Sequence, residues 1–229
     1  TRHLDKITAS IPQAINKKGL EIPYLQDVVN PLLALKVDLL VDGELVNGVY
    51  HIFDLIEFNG ADLRGLPVAQ RYEKLKALGL PNTAYTAFTK AEKQALHDKL
   101  SAEKREGIVF KKIDSEYVSG RPNSGGNQLK LKYYATDTFE VIEHTKGKRS
   151  VKIVSYTETG EQYDMGNVTI SANFDIPAIG SFIEVRYLYC HVGGKLFQTT
   201  MLNVRTDQDR SDCHMREIKF KAGNEEDDE

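Results

Sequence analysis

Cysteine is scarce, with only Cys190 and Cys213 in 229 residues. Their spacing matches no metal-binding pair and supports no disulfide framework, so a reducing, cytoplasmic setting is expected. No apolar run approaches the roughly 20 residues of a membrane-spanning helix, so no membrane partner is expected, and no signal peptide is visible. Internal repeats are also missing. The chain opens on Thr1-Arg2-His3 without an initiator methionine, which reads as a mature, cut or partly supplied sequence. No one sign of charge dominates: the net charge is -3, and the last five residues, Glu225 to Glu229, are all acidic, leaving +2 on the rest. Such a tail reads as a solvated end, and the faintly basic body keeps a nucleic-acid partner open. What is present, 41% hydrophobic and 28% charged residues, describes a globular chain rather than a disordered one. The length suits one large domain, or a moderate domain with a small one.

The most informative stretch runs from Glu106 to Lys132. Glu106-Gly107-Ile108-Val109-Phe110-Lys111-Lys112 and Leu129-Lys130-Leu131-Lys132-Tyr133 each read as a strand, with apolar residues on one face and charges on the other. Between them, Ser119 to Asn127 is a turn-rich, basic insert containing Arg121. A carboxylate at the mouth of one strand, with lysines delivered from a second, suits a metal-bound phosphate. The same residues also fit an edge hairpin with solvated lysines.

Along the rest of the chain, Pro12, Gly19, Pro23 and Pro31 break residues 1 to 35 into pieces. Ile11–Ile15 and Leu25–Leu35 suit short helices, and Thr1-Arg2 suits the end of a strand or the loop after it. Val37 to Val46 and Val49 to Phe58 read as antiparallel strands joined at Asn47-Gly48, a hairpin signal. That pairing puts Glu44 and Phe53 on neighbouring strands, although either residue also fits an ordinary face or core position. Leu66–Leu78 and Lys90–Leu100 read as helices, Pro67 sitting in the first turn of the former. From residue 138 only strands are expected, at Thr138–Thr145, Ser150–Thr157, Phe182–Cys190 and Lys195–Val204. That spacing suits a small barrel.

Taken together, Asp42-Gly43-Glu44-Leu45-Val46, Phe53-Asp54-Leu55 with Asn59-Gly60, Glu106-Gly107-Ile108-Val109-Phe110-Lys111 and Leu129-Lys130-Leu131-Lys132 resemble, in type and order, the motifs of the ATP-dependent DNA ligases. These belong to the covalent nucleotidyltransferase superfamily, and the likeness is to the compact two-domain enzymes of bacteriophages and bacteria. The resemblance implies an α+β adenylation (nucleotidyltransferase) domain of antiparallel sheets and helices over 1–134, an all-β OB-fold barrel over 135–208, and a C-terminal extension with an acidic tail over 209–229. It implies ATP as cofactor, AMP as covalent intermediate, magnesium, nicked double-stranded DNA as partner, a monomer, and the cytoplasm of a bacterial cell or phage-infected host. Nick sealing in replication, repair and recombination would follow.

The resemblance also implies roles. Glu44 would contact ribose or assist the metal. Phe53 would stack on adenine. Glu106 would hold the metal and poise the nucleophilic lysine. Lys130 and Lys132 would hold phosphates, and Arg2 would position AMP or the nick phosphate. Lys111, Lys112, Arg121, Lys146, Lys148 and Arg149 are the expected DNA contacts, in or beside loops. Two departures stand out. The nucleophile motif Lys-x-Asp-Gly is absent from these residues and is expected upstream of Thr1; Lys36-Val37-Asp38-Leu39 is its best internal imitation. The family's closing Arg-x-Asp-Lys, which orients pyrophosphate, is Arg205-Thr206-Asp207-Gln208 here. An RNA ligase or mRNA capping guanylyltransferase, and a non-catalytic DNA-binding fragment, are the competing readings. Two cysteines cannot supply the four-cysteine zinc module that NAD-dependent ligases carry.

Overall fold

A computed structural model describes residues 2–7, 12–16, 18–24, 26–46, 48–120 and 125–222, with side chains from residue 12 onward except that of Val28. The chain forms two compact units, Thr1–Thr89 with Val109–Lys130, and Lys90–Ile108 with Leu131–Glu229. Among the described residues, no helix is long and apolar enough to cross a membrane.

In the first unit the chain builds β1 (Arg2–Ile7), β2 (Pro12–Asn16), β3 (Glu21–Ile22), α1 (Gln26–Leu33), β4 (Leu39–Val46), β5 (Val49–Phe58), β6 (Ala61–Asp62) and α2 (Val68–Ala77). One antiparallel sheet has the order β3-β2-β1-β4-β5-β6. Leu39, Val41, Ile52 and Leu55 form its buried face and meet Tyr72 and Leu75 of α2. The expected helix over Ile11–Ile15 is a correction: Pro12–Asn16 is a strand, its ladder to β1 on one side and β3 on the other outweighing local helical spacing, and Ile11 lies outside the described residues. Arg2 opens a strand rather than ending one. The helix expected near Leu25–Leu35 is Gln26–Leu33, and Leu66–Leu78 becomes Val68–Ala77 with Pro67 as its N-cap. Thr1, Leu25 and Asn47 lie outside the described residues.

β4 and β5 do not run in plain register. Gly43 pairs with Ile52 and Asp42 with Asp54, so Phe53 is the extra residue of a bulge. A bulge re-aims the extra side chain. Gly43 is required beside it, because a Cβ there would lie 2.7 Å from the His51 carbonyl oxygen and against the Tyr50 ring.

α3 (Lys90–Ala102) follows, then the hairpin of β7 (Gly107–Lys111) and β8 (Gln128–Lys132), within which the chain passes from the second unit to the first and back. The hairpin is as expected, but its apolar face is not packed: Phe110 and Leu129 are 41% and 55% exposed, whereas Lys111 and Lys132 are half-buried. Gly107 adopts φ +156°, and a Cβ there would overlap the Leu131 carbonyl.

The second unit continues with β9 (Ala135–His144), β10 (Ser150–Tyr156), β11 (Gln162–Thr169), β12 (Phe182–Tyr187), β13 (Tyr189–Cys190), β14 (Leu196–Phe197) and β15 (Thr200–Arg205). Five strands form an antiparallel sheet, β11-β10-β9-β12-β15, whose edge strands do not pair, and β13-β14 is a separate ladder. Phe139, Val151, Ile153, Ile183 and Val185 form its core. Strand β11 was not expected. It is polar, only Met165 and Val168 being buried, and Gly166 at φ +85° interrupts its alternation.

Residues 209–222 form a strap across this unit. Asp209 caps a short 3-10 turn at Arg210–Asp212. His214 then bridges in parallel to Tyr156, and Phe220 to Cys190. Cys213 and Ile218 fill the core beneath.

Candidate functional site

In the first unit, the bulge in β5 presents Phe53, and β7 delivers Lys111 to it. The Lys111 ammonium stands 4.8 Å from the Phe53 ring centroid. It also donates to the Asp54 carboxylate at 3.2 Å and to the Phe53 carbonyl at 3.4 Å. This fixes a cation on an aromatic face.

What holds this arrangement is a buried charge network. Asp42, Asp54 and Arg71 are 1%, 3% and 1% exposed. Arg71, from the buried stripe of α2, donates Nε and Nη2 to the two Asp54 oxygens at 2.8 and 3.0 Å. Its Nη1 donates to the Leu66 carbonyl and, at 3.4 Å, to that of Ser115. The Tyr117 hydroxyl donates to Asp42 at 3.1 Å. Asp42 and Asp54 are cross-strand partners; Asp54 is neutralised from α2 and β7, and Asp42 is hydrogen-bonded from the segment after β7. Sequence reading singled out none of Asp42, Asp54, Arg71 and Tyr117 as functional. The available signal was charge inside apolar patterns: Asp42 and Asp54 interrupt buried strands, and Arg71 falls beside Tyr72 on the inner face of α2.

Glu44 lies on β4 opposite His51, exposed, and Arg2 pairs with Glu44 through the backbone of β1; the Arg2 side chain lies outside the described residues. Lys130 is exposed on β8. Lys36 sits in the turn before β4 at φ +53°. A cleft of about 180 Å3 lined by Asp27, Leu32, Tyr50, Leu80 and Asn82 includes none of the expected site residues.

In the second unit, Glu106 and Lys132 meet at 3.2 Å. The Lys132 ammonium also donates to Gln198 Oε1 at 3.0 Å. The Tyr133 amide donates to the Glu106 carbonyl, closing the hairpin behind this pair. Lys219 of the strap donates to the carbonyls of Arg105 and Tyr133 on either side, and burial lowers its pKa below the usual lysine range. Arg205 forks onto Asp207 at 2.9 and 2.7 Å and reaches Glu184 at 3.4 Å. That guanidinium lowers the Asp207 pKa to about 2. Gln208 accepts a hydrogen bond from Thr138.

Of the expected DNA contacts, Lys112, Lys146 and Lys148 are exposed, Lys112 within 3.5 Å of Asp114. Lys111 is committed to Phe53 and Asp54. The Arg149 guanidinium binds the carbonyls of Ile170, Ser171 and Phe174. Arg121 lies outside the described residues.

No family model and no curated protein matches the chain. Solved structures do. One from a structure–function study of Lig E DNA ligases, concerned with DNA binding by a minimal scaffold, aligns with TM-score 0.59 at 16% identity over 89% of both chains. A mycobacterial DNA ligase D complexed with ATP and MES aligns with TM-score 0.51 at 20% identity, over 93% of this chain and 88% of that one. A structure named Pmar-Lig_PreS3 reaches TM-score 0.69 at 16% identity, over 89% of this chain and 61% of its own. The chain therefore has the fold of the ATP-dependent DNA ligases.

Proposed function

We propose that this chain is the nucleotide- and DNA-handling part of an ATP-dependent DNA ligase that seals nicks in duplex DNA during replication, repair or recombination. The observation that carries the reading is the aromatic ring of Phe53, placed at a bulge, with the Lys111 ammonium 4.8 Å from its centroid. A flat face beside a fixed cation suits a nucleobase joined to phosphates, and base stacking contributes about 1–3 kcal/mol. Residues 1–134 act as the adenylation domain, and 135–208 as an OB-fold. The order β11-β10-β9-β12-β15 supports the latter, as does the approach of β11 to β15 within 8 Å between Cα atoms. Residues 209–229 are the extension, and its acidic tail lies outside the described residues.

Phosphoryl transfer asks the protein mainly for positioning and charge stabilisation. In this reading Phe53 takes adenine and Glu44 the ribose. Lys130 and Lys132 neutralise phosphate oxygens, and Arg2 positions AMP or the nick phosphate. Arg205 orients pyrophosphate by exchanging Asp207 for it, with Gln208 adding no charge. Magnesium takes one or two carboxylates and completes its shell with water and substrate phosphate. Glu44 and Glu106 fit that donor chemistry, and Glu106 is well exposed with Lys132 beside it. Among the described residues no three His, Cys, Asp or Glu side chains form a ready cage. When bound, the ion would offset charge on the transferring phosphates.

The acceptor of AMP is a lysine of Lys-x-Asp-Gly, and these 229 residues contain no such sequence. A lysine becomes a nucleophile through a lowered pKa and in-line placement. The chain should therefore bind ATP with magnesium yet show no AMP adduct by intact mass. With a segment bearing Lys-x-Asp-Gly, in cis or as a peptide, it should form the adduct and seal a nicked duplex. An AMP adduct on any lysine of these residues, or no ATP binding, would overturn the reading. The motif's absence also favours one second reading, a DNA-binding module without adenylylation. Binding of a nicked duplex with no AMP transfer in either format would select it.

A further inference from the structure

We propose that the second unit carries a stacking site for unpaired bases, which takes the single-stranded end of a DNA strand. It deepens the ligase reading, on which it rests for the identity of the strand.

The site is a row of rings with a cation at each end and an amide between the second and third rings. The Lys221 ammonium lies 5.9 Å from the Tyr189 ring. Tyr189 stacks on its cross-strand partner Phe197, with centroids 5.0 Å apart and planes at 17°. The next residue, Gln198, accepts from the Tyr134 hydroxyl at 3.4 Å, and the Arg186 guanidinium lies 4.8 Å from the Tyr134 ring. Every step lies within one unit, and three of the six residues come from the short ladder β13-β14 and its exit.

Three features separate this row from an ordinary core edge. Tyr189 is nearly buried, whereas Phe197 and Tyr134 remain 37% and 41% exposed, so the inner ring supports and the outer two are presented. The ladder that presents Phe197 is bracketed by two non-glycine residues with positive φ, Lys195 at +80° and Gln198 at +56°. That backbone is uncommon for a residue with a side chain, so the two turns flanking Phe197 are held in place by their surroundings. The polar side chains along the row are Lys221, Gln198 and Arg186, with the His191 imidazole edge-on to both Tyr189 and Phe197. The nearby carboxylate, Glu106, is already paired with Lys132.

Rings that accept any base, set among cations that accept phosphates, suit a single-stranded polynucleotide rather than an apolar protein face. Two exposed rings match about two bases. Gln198 also accepts from Lys132, so the row ends at the lysine proposed to hold phosphate. A strand lying along it would be led to that residue. Ends with short overhangs, not only flush nicks, would be the substrates.

The chain contains no tryptophan, so Phe197→Trp introduces a single reporter at the site. Oligo-dT should quench its emission saturably, and a blunt hairpin duplex or AMP should not. By anisotropy with labelled oligo-dT, Phe197→Leu should weaken binding about 5- to 150-fold, the loss of one stacked base. Tyr134→Leu should do the same, and Tyr134→Phe should retain affinity. A melting curve of each variant checks its fold, and the Phe197→Trp titration decides if a leucine variant does not fold. Unquenched emission at saturating strand, native affinity in both leucine variants, or equal quenching by AMP would overturn the site. Duplex and ATP binding without strand binding sinks this proposal and leaves the ligase reading. Strand binding without ATP or duplex binding does the reverse.

Discussion

Asp42, Asp54 and Arg71 are nearly inaccessible in the first unit, while the side chains fully buried in the second include Phe139, Ile153, Ile183 and Tyr187. The deepest charge of the second unit, Glu140, is 8% exposed and reaches Arg210 on the strap. Buried hydrocarbon tolerates small shifts, whereas a buried ion network holds only in one geometry, because breaking it strands a charge. The first unit thus fixes Phe53 and Lys111 by directional bonds. The second buries hydroxyls such as that of Ser155 but, Glu140 apart, carries its charged groups nearer the surface.

The sharpest way to break this contrast is Arg71→Leu. It leaves Asp54 with Lys111 as its charged partner and should cost about 3–5 kcal/mol. Hydrogen exchange should register the loss in β4 and β5 but not in β9 and β10. Pairing it with Asp54→Leu should recover much of the loss. Ile183→Ala should cost about 2–5 kcal/mol with the opposite distribution. Loss spread evenly over both units in either variant would show that the contrast is not energetic.

Phe53→Ala removes a half-exposed ring from a bulge, so the fold should survive and ATP affinity should fall by about 1–3 kcal/mol, read by calorimetry. A variant that unfolds instead would make Phe53 a core residue of the first unit.

Smaller effects belong to the second unit. If six cations met phosphates, log K for duplex DNA would fall with log salt at a slope of about -5. Lys111 and Arg149 are committed within the protein, so Lys146 and Lys148 become the ones to test. Replacing both with alanine should flatten the slope by about 0.9 each, measured by anisotropy across salt. An unchanged slope would move the duplex contact elsewhere.

The smallest effect concerns Glu140. Burial raises its pKa, but the Tyr156 hydroxyl and the Arg210 guanidinium outweigh burial and leave it below the usual 4.5. A carboxyl lowered on folding stabilises above its unfolded pKa, and this is lost as pH falls through the folded one. Arg210→Gln should therefore reduce the acid sensitivity of melting below pH 4.5 in the second unit. A pH profile identical to the native one would show that Arg210 is too solvated to contribute.

These residues also show how far the sequence could be read. The hairpin β4–β5, α2, and most strands of the second unit follow from periodicity, because one face of each packs inward. Strand β11 hides behind Gln162, Asp164 and Asn167, and β2 behind Pro12, since both are specified by neighbours rather than by their own pattern. Phe53, Glu106 and Lys132 were legible as residue types in order. The bulge at Phe53 was not, nor was Arg71 reaching Asp54 across 17 positions. Register and long-range pairing depend on the assembled sheet. Gln198, 66 positions from Lys132, is invisible to any local rule.

The strap has a consequence for the order in which this protein is made. Lys219 closes onto the Arg105 carbonyl, 114 residues earlier, and Cys213 and Ile218 complete cores begun at β9 and β10. A nascent chain released only as far as β15 would hold five strands with gaps where those side chains belong. Contacts of such separation form slowly. While they wait, the open sheet edges and unfilled apolar face are exposed to association with other chains. The described part of the first unit ends at Lys130 and needs nothing from the strap, whereas the second must wait for residue 219.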